Sequence, residues 1–311
     1  YALMSQQNGD IKEAINNYNK VILNDKKNWR ALTNLYLIFF DQEKYSEGLI
    51  LVNKILDIIP NHQPTLRDKA HLLYYLNQLE IAHKNIIESI KLNPKDYIAL
   101  NILGMIYDKM DSKDQAINVY LKVININKDY YPTYSNLGKC YLEKKEIKNA
   151  INILKKGLAI NPNFVNAKNN LANAYYQIEK YDLALKIYKD ILIVQPNHKD
   201  VNSNIALCYF YNKDFEKTEK YFSITKNLDK DNQNFKKNYA HYLLFKQNYK
   251  DAWNYYWDSR LRINDYYKTN TWKSKILKHI YTGNKLDDNE KILIIKEQGV
   301  GDEILYGTMY P

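Results

Sequence analysis

The stretch KILIIKEQGVGDEILYGTMYP, residues 291–311, holds the side chains and spacings best suited to chemistry. Ile292 to Ile295 form a continuous apolar run bounded by charge, the pattern of a strand covered on both faces. Gly299 and Gly301 permit a tight turn, and Ile304, Leu305 and Met309 suit a helix after it. Ligands bind at such turns, where backbone amides at the helix start favour an anion such as phosphate. Gly299 and Gly301 are therefore the candidate phosphate or ligand turn. Asp302 stands where an aspartate caps the free N–H groups of the helix that follows. The turn is not a dinucleotide fingerprint, since Ile304 occupies the place of a third small residue; nor is it a P-loop, which needs Gly-Lys-Ser/Thr.

A second set of residues offers hydrogen bonding. Asn34, Asn136, Asn170, Asn204 and Asn238 stand at multiples of 34 residues, with Asp68 and Ile102 in the two places between. An amide carries both a donor and an acceptor, so a regular line of amides grips an extended peptide backbone without reading its side chains. These five are the candidate peptide-binding residues. The competing reading is an asparagine-rich chain, about one residue in eight, tolerating amides on a solvated helix face.

Other reactive groups point to structure. His62, His71, His83, His198, His241 and His279 lack ligand pairing at i, i+4 and neighbouring cysteines, so no metal site is expected. His62 and His198 share one inter-unit turn, where capping suffices. Cys140 and Cys208, in equivalent places two units apart, read as small core residues in a reducing compartment.

The elements that position these residues recur every 34 residues. One small column runs Ala70, Gly104, Gly138, Ala172, Ala206, Ala240; another runs Ala14, Gly48, Ala82, Ala116, Ala150, Ala184, Thr218, Ala252. Pro60, Pro94, Pro162 and Pro196 close several units. Each unit therefore holds two helices that approach closely at the small residues, with proline past the second helix because it cannot continue one. A partial first unit precedes seven units beginning at Trp29, Gln63, Tyr97, Tyr131, Val165, Lys199 and Gln233.

Segments such as NLGKCYLEKKEIKNAINILKKGLAINPN resemble the tetratricopeptide repeat in period and in small and aromatic signature. The resemblance covers residues 1–266 and implies an all-α, right-handed superhelix whose first helices line a concave groove for an extended peptide or protein. The amide column is similar to the asparagine ladder of the protein O-GlcNAc transferase repeat domain. Fifth places of the units are also mostly polar: Thr33, Arg67, Asn101, Ser135, Asn169, Ser203, Lys237. Twelfth and thirteenth places include Phe40, Tyr74, Tyr75, Tyr176, Phe210, Tyr211 and Phe245, for which packing between helices is the default.

The last unit, DAWNYYWDSRLRINDYY, carries Trp253, Tyr255, Tyr256 and Trp257 and is expected to meet a further domain; residues 267–290 read as a linker or docking segment. EQGVGDEIL after such an array resembles the start of bacterial repeat-containing GT-B glycosyltransferases and of heptosyltransferases. Residues 291–311 are then a truncated, Rossmann-like α/β opening, and the resemblance gives Asp302 a general-base role beside its capping one. It also implies a nucleotide-sugar donor for the complete parent and no cofactor for this stretch alone, which holds too little of the transferase to act.

Composition sets the remaining bounds. The chain has 311 residues, 45% of them hydrophobic, and a formal charge of +10, yet only nine glycines and seven prolines, so its turns must be few and short. Most lysines fall in second helices and inter-unit turns, which leaves the groove without a basic track and argues against nucleic acid. No apolar run approaches the length of a membrane span. A start at Tyr1, inside the periodic pattern, reads as a piece of a longer chain. The Asn/Lys/Ile/Tyr bias suggests an AT-rich, bacterial genome, and the expected location is cytoplasmic. Two functions stay open: a module presenting partners to a glycosyltransferase in cis, and a non-catalytic scaffold.

Overall fold

The structure, a computed structural model, describes residues 10–252 and 254–255. The chain divides into two compact units, residues 1–196 and 197–311. The first contains α1 (Ile11–Asn24), α2 (Trp29–Asp41), α3 (Tyr45–Ile58), α4 (Gln63–Tyr75), α5 (Leu79–Leu92), α6 (Tyr97–Lys109), α7 (Lys113–Ile126), α8 (Tyr131–Glu143), α9 (Ile147–Ile160), α10 (Val165–Gln177) and α11 (Tyr181–Val194). The second contains α12 (Lys199–Tyr211), α13 (Phe215–Leu228) and α14 (Gln233–Phe245), and a further helical stretch begins at Tyr249. There is no strand among the described residues.

Seven of these helices begin where the sequence places its unit starts, at residues 29, 63, 97, 131, 165, 199 and 233. Side-chain caps fix several starts: Asn28 Oδ1 accepts from the Ala31 N–H at 3.1 Å, Asp96 from Ile98 and Ala99, and Asn232 from Phe235 at 2.8 Å. His62 and His198 are N-cap residues: His62 Nδ1 bonds Thr65 Oγ1 at 2.7 Å, and His198 Nδ1 accepts from the Val201 N–H. Each first helix packs on the second helix of its own unit: α2 on α3, α4 on α5, α6 on α7, α8 on α9, α10 on α11, and α12 on α13.

The small columns mark where helices touch. Ala14, Ala70, Ala82, Ala116, Ala150, Ala172, Ala184, Ala206, Ala240 and Thr218 are fully buried. At Gly104 a methyl group would stand 2.4 Å from a Tyr120 ring carbon, and at Gly138 it would stand 2.5 Å from a Leu154 methyl. Both sites need the missing side chain, because close-packed interiors give little.

The short turn inside each hairpin has one form. Lys44 N–H reaches back to the Phe39 carbonyl at 2.8 Å, and Glu43 N–H to Phe40 at 3.0 Å, with Glu43 at φ 59°. These paired bonds are the Schellman closure of a helix end. It recurs with Asn77, Asp111, Lys145, Glu179, Lys213 and Gln247 in the left-handed position. Glycine is absent from all seven. Between units, the side chains of Asp25, Asn93, Asn127, Asn161 and Asp229 each accept from the N–H two residues on, at 3.0 to 3.2 Å. Part of the asparagine abundance is therefore turn chemistry.

Candidate peptide-binding face

In residues 1–196 the first helices α4, α6, α8 and α10 touch in sequence, and in residues 197–311 α12 touches α14. Fifth-place side chains sit in these contacts: Asn101, Ser135 and Ser203 are at most 5% exposed. The sixth-place asparagines, Asn34 on α2, Asn136 on α8, Asn170 on α10, Asn204 on α12 and Asn238 on α14, are half-buried at the rim.

Three sixth-place amides are tied to the fifth place of the preceding unit, 35 residues earlier. Asn136 Nδ2 donates to Asn101 Oδ1 at 3.3 Å, Asn170 Nδ2 to the carbonyl and Oγ of Ser135, both at 3.2 Å, and Asn238 Nδ2 to Ser203 Oγ at 3.0 Å. Asn101 Oδ1 also takes a 2.8 Å bond from the Thr133 hydroxyl. The column is thus a structural seam as well as a polar strip. In the sequence the only sign that the fifth and sixth columns pair is this common spacing of 35.

The two interruptions differ in kind. Ile102 is 2% exposed and belongs to the hydrophobic core of α4 to α7. Asp68 enters an ion cluster: Arg67 reaches Asp68 and Asp96 at 3.1 Å each, and Gln63 Nε2 donates to Asp96 at 2.7 Å. Burial raises the Asp68 pKa, against the pull of Arg67. Burial also opposes ionisation of Asp96, but the bonds from Gln63, the Ala99 N–H and Arg67 win and hold its pKa low. Tyr36 is raised by burial and by Asp68. His71, on α4 with Arg67 and Asp68, is pushed down to about 4 by burial and by Arg67.

The aromatic column packs between units. Phe40 lies 4.9 Å from the His71 ring, and Tyr45 stacks on Tyr75 at 4.5 Å. In the second compact unit Phe210 stands 5.0 Å from Phe245, which stacks on Phe215. The packing expectation holds, though Tyr75, Tyr211 and Phe245 keep exposed edges.

A second ion cluster, unseen in the sequence, joins α6, α7 and α8. Lys113 pairs with Asp108 and Glu143, and Lys139 with Asp108 at 2.8 Å and Glu143 at 3.5 Å. Burial opposes the Asp108 charge, but the two lysine hydrogen bonds keep its pKa low. The buried Cys140 thiol donates to Asp108 and is pushed up to about 12, chiefly by burial. Both cysteines are buried and neither is in a disulfide, as expected of core residues. No cluster of metal-binding side chains and no helix long and apolar enough to cross a membrane occurs among the described residues.

Gly299, Gly301, Asp302, the docking segment 267–290 and the α/β opening 291–311 lie outside the described residues, as do Trp253, Tyr256 and Trp257 in the last unit.

Two tetratricopeptide-repeat profiles match, at residues 97–130 and 141–208. Residues 97–130 and 141–208 are tetratricopeptide repeats. The array is 24% identical over 136 residues to the TPR repeat-containing protein MJ1428 of Methanocaldococcus jannaschii, covering 40% of this chain and 24% of that protein. Its fold is similar to the APC/C hetero-tetramer Cut9-Hcn1, with a TM-score of 0.68 at 16% identity, over 89% of this chain and 54% of that one. It is also similar to a tetratricopeptide repeat protein of Parabacteroides merdae, with a TM-score of 0.62 at 14% identity, over 80% and 97% of the two chains. The chain thus spans about half of the first solved relative and a quarter of the curated one. Tetratricopeptide packing explains the register of the amides: the same helix faces meet from α4 to α10 within residues 1–196 and between α12 and α14 within residues 197–311.

Proposed function

We propose that the array is a binding module for an extended polypeptide, held on the first-helix face by the sixth-place asparagines. The observation that carries this reading is the oriented amide strip. Asn136 and Asn170, within residues 1–196, are half-buried and hydrogen-bonded through Nδ2 one repeat apart, and Asn238 makes the equivalent bond within residues 197–311. Such groups suit sequence-tolerant backbone recognition. The test is affinity for selected peptides in Asn136→Ala and Asn170→Ala variants, beside Ser135→Ala as a control for the seam. Loss of affinity in the asparagine variants alone supports the reading; affinity unchanged in both overturns it.

In the complete parent, the proposal extends to presenting partners to a C-terminal glycosyltransferase domain opened by residues 291–311, with Asp302 as general base and Gly299 and Gly301 at a nucleotide-sugar donor. The support is the EQGVGD motif alone. A longer chain that turns over nucleotide sugar, and loses that turnover in Asp302→Asn, is the expected result. A longer chain without turnover favours the scaffold. The buried reduced thiols suit a cytoplasmic module.

A further inference from the structure

Resting on the polypeptide-binding reading, we infer that the α8–α10 face takes its ligand through side-chain oxygens. Asn136 and Asn170 each accept a backbone N–H, and the two accepted N–H groups lie three residues apart in a polyproline-II-like segment.

The orientation of the amides comes first. Ser135 offers Asn170 a backbone carbonyl, which can only accept, so the nitrogen of Asn170 must face it. Ser135 Oγ is a second acceptor for the same nitrogen. Asn170 Oδ1 is then the atom left for a ligand. Asn136 is turned the same way, because its nitrogen faces the oxygen of Asn101, which also takes the Thr133 hydroxyl bond. Neither Oδ1 is a buried orphan, and neither residue has a further partner among the described residues. A row of outward oxygens selects donors. A peptide backbone supplies such a donor, an N–H, at every residue except proline.

Spacing then sets the conformation. Packed helices such as α8 and α10 stand about 8–10 Å apart. A polyproline II segment repeats every three residues and advances about 9 Å in doing so, which returns every third N–H to one side. A β-strand returns its N–H groups after about 6.6 Å and falls out of step.

Random dodecapeptides are selected on the chain, and the strongest binder is remade as a series of single amide-to-ester variants. Each ester removes one N–H. Two esters three residues apart are expected to lower affinity about three- to tenfold each. In the labelled wild-type chain, the side-chain carbonyl carbon signals of Asn136 and Asn170 move on binding. Their NH2 signals stay, because the bonds to Asn101 and Ser135 persist. Sensitive esters two or four residues apart, or none, overturn this inference and leave polypeptide binding standing. A selection that yields no binder, or one that leaves both carbonyl signals in place, overturns the polypeptide-binding reading itself.

Discussion

Phe215 and Phe245, thirty residues apart in sequence, lie stacked with centroids 5.4 Å apart and planes 24° from parallel. Tyr45 and Tyr75 occupy the same two repeat places and stack at 4.5 Å and 6°. At Lys113 and Glu143 the same places hold an ion pair. One geometric slot, the start of a second helix facing the end of the next first helix, thus accepts different chemistries. A double-mutant cycle on Tyr45→Ala and Tyr75→Ala should give a coupling of about 0.5–1.5 kcal/mol from chemical denaturation. Strict additivity would show that the rings merely share space.

Replacing Lys145 by glycine should stabilise the chain. Lys145 sits at φ 63° and closes the turn through its N–H to the Leu142 carbonyl. A side chain in that left-handed region costs about 1 kcal/mol, and glycine relieves it while adding freedom to the unfolded chain. A gain of about 0.5–1 kcal/mol in unfolding free energy is expected. A loss would mean that the lysine side chain anchors the turn.

Two glycine-to-alanine changes should part company. Gly104→Ala drives a methyl group into the Tyr120 ring and should cost about 2–3 kcal/mol. At Gly48 the nearest atom to such a methyl is a carbon of the buried Leu72 side chain at 3.2 Å, which has to give only a few tenths of an ångström. The better helix propensity of alanine, about 1 kcal/mol, then offsets the crowding at Gly48. Thermal melts of both variants decide this, and equal losses would refute it.

Acid should act on His71. Its folded pKa is about 4 against an ordinary value of 6.5. A base depressed by folding leaves stability intact above pH 6.5 and removes it as pH falls toward 4. Relative to His71→Gln, the wild-type chain should lose about 2–3 kcal/mol over that window. Parallel pH profiles for the two proteins would show that the imidazole is free to ionise in place.

The period of the array was legible because the small columns recur every 34 residues and are buried where helices touch. The turns were less legible. Sequence rules look for glycine past a helix end, yet Glu43, Asp111 and Lys145 adopt that conformation with side chains. The amide column was visible, but its partners were not, since a bond from Asn170 to Ser135 links places that differ by one repeat and one residue. Asp68 and Ile102 looked like equal gaps; one carries an ion cluster and the other lies in the core.

Ionic strength and temperature will not strain this array at the same point. The slot between Lys113 and Glu143 belongs to a charge cluster with Lys139 and Asp108, and screening over about 8 Å at physiological salt reaches its exposed edge. The slot between Tyr45 and Tyr75 depends on apolar contact, which added salt leaves intact. Because each repeat is held mainly by its neighbours, concentrated salt moves the breakpoint of residues 1–196 toward α6–α8, while the stacked tyrosines hold their own seam.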